Sequence, residues 1–194
     1  MRRKRSFFDN YSKCWKFLNE SRWHVVFALG VFCFLFLIGF AFPIFFREEI
    51  FKFIEELVNS LDGKNAVELI AFIFFNNLKA CLLAIVFGIG FGIFPLITAA
   101  VNGYLLGFVV RESVTIGGLL IMLNLIPHGI FELPAILFSI GIGTKIGADL
   151  INSNNKKRIL KKNCIESLRF FVFVIFPLIL IAGIIEGFLI WMGV

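Results

Sequence analysis

Charge is what this chain lacks most: only 16% of its 194 residues are Asp, Glu, Lys or Arg, against roughly 25% in an ordinary soluble domain. No charged residue occurs between His24 and Phe46, and none between Ala80 and Val110. Runs of that length exclude a soluble globular fold and imply segments that cross a bilayer. Histidine is nearly absent, with two copies, and the four cysteines (Cys14, Cys33, Cys81, Cys164) are scattered without a C-x-x-C pair. This excludes a disulfide framework and a zinc site built on clustered ligands. No Gly-Lys-Ser/Thr follows any glycine-rich stretch, so there is no phosphate loop. Cys33 and Cys81 are expected to serve as small apolar packing residues.

What is present is apolar bulk: 59% hydrophobic residues, 27 of them Phe. The expected fold class is all-α, an integral membrane bundle of about five transmembrane helices at 24–46, 66–93, 96–111, 127–150 and 168–192. Residues 1–23 read as an interfacial amphipathic helix and 24–194 as the membrane domain. A cleaved signal peptide does not fit, because about 23 residues precede the apolar run and no small-x-small site follows it. Residues 48–62 place Ile50, Phe51, Phe53, Ile54, Leu57, Val58 and Leu61 at helical period among Glu, Lys and Asn. That pattern predicts a second interfacial helix, ended by Asp62-Gly63. Residues 116–126, an apolar run of 11, are too short to cross and are expected to dip in and return.

The net charge of +6 sorts by topology and gives no nucleic-acid signal. Seven of the 19 Lys/Arg precede the first span, and five more lie at 156–162 in a basic loop spanning 152–167. The 47–68 connection carries three basic and six acidic residues. The positive-inside bias therefore predicts a multi-pass cell-membrane protein with its N-terminus cytoplasmic and its C-terminus outside.

A short internal similarity adds a hint of repetition. Laying Gly88-Ile89-Gly90 over Gly141-Ile142-Gly143 sets Lys79 opposite Glu132, and Asn102-Gly103-Tyr104-Leu105 aligns with Glu186-Gly187-Phe188-Leu189. The implied repeat is parallel, about an axis along the membrane normal.

The chemistry-bearing residues sit inside these runs. His128 and Glu132 are four residues apart at the start of the fourth span, on one helical face. Asn76, Asn77 and Lys79 lie part-way into the second span, Asn102 in the third and Glu186 near the end of the fifth. The expectation is one buried polar cluster, with Lys79 neutralising Glu132 or Glu186 and His128 hydrogen-bonding the other carboxylate. Such a cluster serves either as helix-packing glue or as a solute, proton or ion path. A third reading, a metal-dependent enzyme on one His and two Glu, lacks the H-E-x-x-H pattern. No catalytic residue, metal or cofactor is assigned. Gly88/Gly92, Gly103/Gly107 and Gly143/Gly147 form small-x-x-x-small pairs that let helices approach closely.

Pro127-His128-Gly129-Ile130-Phe131-Glu132-Leu133-Pro134-Ala135 resembles the signature of the stage II sporulation protein M family. So do Gly141-x-Gly143-x-x-x-Gly147, Asn76-Asn77, the Gly88/Gly90/Gly92 cluster, Asn102-Gly103-x-x-x-Gly107 and the Ala182–Phe188 segment that carries Glu186. The resemblance covers residues 24–192. It implies a multi-pass helical membrane protein with a polar core. The family's namesake organises a peptidoglycan-degrading complex at a septal membrane and is not itself a hydrolase. The namesake's partners do not carry over; the expected role here is a non-enzymatic scaffold or organising subunit, with membrane-protein partners or copies of itself beside the lipid bilayer. The alternatives are a small transporter or channel-like protein and the metal-dependent enzyme.

Overall fold

The structure, a computed structural model, describes residues 7–117 and 126–192, with side chains described over 9–116 and 129–192. The described residues are helical with no strand, in the order α1 (Phe7–Ala41), α2 (Arg47–Leu61), α3 (Ala66–Val86), α4 (Ile93–Gly117), α5 (Ile126–Asn152), α6 (Lys156–Phe170) and α7 (Phe176–Met192). A 3-10 turn follows α3 at Phe87–Ile89, and a π-turn at Phe171–Ile175 joins α6 to α7. Five stretches among the described residues are long and apolar enough to cross a membrane: Asp9–Ala41, Ala66–Ile89, Ile93–Ile116, Gly129–Asn152 and Lys156–Met192. The all-α, five-span expectation holds.

Several boundaries differ, each for a local reason. Residues 7–41 form one continuous helix where a separate interfacial helix and a span were expected. Nothing between Phe17 and Gly30 is Pro or Gly, so no residue there breaks the ladder. The 152–167 segment, expected as a loop, is mostly α6, started by Asn155, whose side chain accepts from the Arg158 N–H at 3.1 Å. The third span is longer than 96–111, because the helix continues through Arg111, Glu112, Ser113, Val114 and Thr115 to Gly117. The expected re-entrant segment at 116–126 falls largely outside the described residues.

At 35 residues α1 is about 52 Å long, well over the ~30 Å hydrocarbon thickness. Its surplus N-terminal turns pack along α6 and the π-turn, through Tyr11–Phe173 (centroids 5.8 Å) and Phe17–Phe170 (6.4 Å), with a Lys162–Glu20 ion pair at 3.2 Å. This paired extension is the basic end of the bundle. The opposite, acidic end carries α2 and the start of α3, where Asn65 and Glu68 form a reciprocal capping box (3.0 and 3.1 Å).

Within the bundle α5 is central, packing against α1, α3, α4 and α7, and Gly141 to Gly147 are all buried. The glycines explain how the helices come so close. A Cβ on Gly88 would meet the carbonyl of Gly143, and one on Gly143 the carbonyl of Ala84, which sets α3 directly on α5. Gly103 and Gly107 face the carbonyls of Phe32 and Phe36, forming the α1–α4 seam. Gly147 faces the backbone N of Gly92, and Gly92 itself takes φ 75, which L-residues seldom adopt. Gly183 and Gly187 lie against Phe74 and Ile70, which fixes α3 and α7 as antiparallel. These hydrocarbon-depth contacts work by close van der Waals approach, since apolar burial alone gives little drive in lipid.

Candidate functional site

Polar groups inside the bundle gather at two levels. At the acidic end, Glu132 on α5 and Glu186 on α7 are both half-buried and close enough to interact electrostatically. The Oε2 atom of Glu186 is buried and has no hydrogen-bond partner among the described residues. Cys81 of α3, only 1% exposed, lies beside Ser139 and within electrostatic reach of Glu132. Two residues further along, Pro134 lies inside α5, and its missing N–H leaves the Ile130 carbonyl without the usual intrahelical donor. The two carboxylates stand within electrostatic reach of each other with no ion-pair partner for either among the described residues.

The other residues expected at this cluster go elsewhere. Lys79 is exposed, and it has no hydrogen bond or ion pair among the described residues, so it does not neutralise Glu132 or Glu186. Packing explains the separation. The buried face of α3 is Leu69, Ile73, Cys81, Ala84 and Ile85, and helical rotation sets Lys79 on the opposite side. Asn76 is exposed on that same outward side, while Asn77 is half-buried. Asn102 turns back on its own helix, Nδ2 donating to the Thr98 carbonyl at 2.8 Å. The His128 side chain lies outside the described residues. Among those described, no group of three or more His, Cys, Asp or Glu is placed to hold a metal ion.

The second level, towards the basic end, has no counterpart in the sequence-based expectations. Lys145 of α5 is 5% exposed. Its Nζ donates to Asp149 Oδ2 at 2.5 Å and to Asn163 Oδ1 of α6 at 3.5 Å, and sits 5.5 Å from the Phe17 ring centroid of α1. Asn163, fully buried, also donates to Asp149 Oδ2 at 2.9 Å. His24 of α1 is within the field of both charges, and its Nδ1 is buried without a partner among the described residues. Lys145 and Asp149 stand at i,i+4 in an apolar helix, a signal readable in sequence. The participation of α1 and α6 is visible only in three dimensions.

At the acidic rim Arg47, the first residue of α2, makes a two-bond fork to Glu112 of α4 (2.8 and 3.0 Å). Tyr104 Oη donates to the Phe42 and Phe45 carbonyls (3.2 and 2.9 Å), holding the α1–α2 turn in which Phe46 adopts φ 56. Between α1, α2 and α4 lies an apolar groove of about 640 Å³ with Glu49 and Tyr104 its polar lining.

A helical bundle with five membrane-crossing stretches, glycine seams and buried charges at both ends defines a multi-pass integral membrane protein. The chain belongs to the stage II sporulation protein M family, whose pattern matches residues 26–189. This agrees with the resemblance carried by residues 127–135. An uncharacterized protein of Methanocaldococcus jannaschii is 33% identical over 141 residues, 70% of this chain, and the chain spans 62% of that relative's length. No solved structure matches.

Proposed function

We propose that the protein is a non-enzymatic organising subunit that retains another membrane protein within the bilayer. The observation behind this reading is the outward face of α3, where Asn76 and Lys79 stand exposed in a membrane-crossing helix. Lys79 is about 20 Å along the helix from Ala66 and about 15 Å from Ile89, beyond the reach of a lysine stem to either boundary. An ammonium held at such depth against lipid costs on the order of 2.5–3.5 kcal/mol, which a polar neighbour from another chain offsets. Family membership supports the reading in so far as it places the chain with a namesake that organises other proteins. The proposed orientation puts the basic N-terminal extension and α6 in the cytoplasm and the C-terminus outside, as the distribution of Lys and Arg favours.

The test is partner retention. Purified from source membranes in mild detergent, the wild type should carry a stoichiometric partner that Lys79→Leu loses, while both proteins keep the same melting temperature. A wild type that purifies as a bare monomer at all detergent concentrations counts against the reading.

A second reading, a small transporter or channel-like protein, is favoured by one observation: the unpartnered buried oxygen of Glu186 beside Glu132. It requires proton or cation flux in reconstituted vesicles that Glu186→Gln abolishes. Equal leak in empty vesicles and in those holding wild type removes it.

A further inference from the structure

We infer that the outward face of α3 docks a transmembrane helix of a different protein, one that presents a carboxylate at the depth of Lys79. This deepens the organising-subunit reading and rests on it. Lys79 and Asn76 are three residues apart, so an ammonium and an amide project from one patch, both exposed. An ammonium is only a donor, and the amide contributes two further N–H groups. Their complement is an acceptor-rich group carrying negative charge, and a carboxylate has both oxygens in one plane to take a bond from each. Ala80, exposed beside them, is small enough to let a second helix backbone come close. The apolar residues flanking the pair, Phe75 and Leu83, are also exposed and would cover the contact from lipid.

A second copy of this chain is the poorer occupant. A two-fold contact centred on this face sets Lys79 against its own equivalent, ammonium to ammonium. A head-to-tail contact would have to use Glu132 or Glu186, and both are half-buried between α5 and α7 instead of presented on the surface. A lipid phosphate is excluded by depth, since headgroups lie outside the hydrocarbon that surrounds Lys79.

The experiment places a photo-crosslinking side chain at position 75 or 83 of the full chain in source membranes, leaving Lys79 and Asn76 intact, with position 97 on the exposed face of α4 as control. The expected result is a crosslink from 75 and 83, absent from 97, to a different protein. The crosslinked segment should carry Asp or Glu within one helical turn of the attachment point. Lys79→Arg should preserve the yield, and Lys79→Met should lower it at least tenfold while leaving the melting temperature of the isolated protein unchanged. A crosslink to a second copy, a partner segment without a carboxylate, or an undiminished yield in the Met variant overturns this inference and leaves the organising-subunit reading standing. Crosslinks to lipid alone overturn both.

Discussion

At the residue scale, the same side chain means different things at different depths. Lys145 is buried but satisfied, with Asp149, Asn163 and the Phe17 ring around its ammonium. Removing one member strands the others: Lys145→Met leaves Asp149 with only the Asn163 amide. Because Asp149 is 27% exposed, the expected loss is about 2–4 kcal/mol, at or below the usual range for breaking a buried pair. A detergent-solubilised thermal melt of Lys145→Met beside Lys145→Met/Asp149→Leu checks it, since the double variant should recover part of the loss. The Arg47–Glu112 fork has the opposite character. Arg47 is 47% exposed, so Arg47→Ala should cost below about 1 kcal/mol, and the difference should shrink further in high salt.

At the element scale, glycine decides which helices can touch. Gly107→Ala would force a methyl into the Phe36 carbonyl, and neither backbone can yield without opening the α1–α4 seam. Gly30, on the α1 side of the bundle, has nothing within 4 Å of an added Cβ. Gly107→Ala should therefore lower the melting temperature sharply or abolish folding, while Gly30→Ala should leave it unchanged or raise it, helix propensity alone adding up to about 1 kcal/mol of stability. Equal effects of the two substitutions would show that propensity, and not close approach, governs these positions. The π-turn at Phe171–Ile175 is an element-scale adjustment of another kind. It stands just before Pro177, whose ring cannot sit over an ordinary preceding turn, and it adds a residue that re-registers α7 against α6.

For the whole molecule, the proposed orientation, with five crossings among the described residues, puts the two termini on opposite sides of the membrane. A membrane-impermeant thiol reagent applied to sealed inside-out vesicles should label Cys164, which is exposed on α6 at the basic end, and right-side-out vesicles should protect it. Labelling from the outside would invert the proposed orientation. The two polar levels, Glu132–Glu186 and Lys145–Asp149–Asn163–His24, are separated along α5 by about 13 residues, or roughly 20 Å. They belong to different ends of the bundle and should respond to mutation independently, so stability changes of Glu186→Gln and Lys145→Met are expected to add within about 0.5 kcal/mol. A larger coupling in the double variant would mean that α5 transmits between the ends.

Hydropathy and charge alone were enough to specify the class, the five crossings and the amphipathic α2, because the bilayer imposes length and apolarity on each segment separately, whereas the family was carried by the motif at 127–135. The small-x-x-x-small glycine pairs were legible for the same reason: spacing along one helix is a property of that helix. Partnership was not legible. Sequence reading set Lys79 beside the carboxylates on grounds of similar depth, but depth says nothing about which way a side chain faces. The packing of α3 on α5 and α7 through Gly88, Gly143, Gly183 and Gly187 rotates Lys79 to the outside and brings Glu132 and Glu186 together without it. Likewise only the continuation of α1 beyond the bilayer, alongside α6, gathers Phe17, His24 and Asn163 around Lys145. The lateral arrangement of helices depends on contacts between residues far apart in the chain, and those exist only once the bundle has packed.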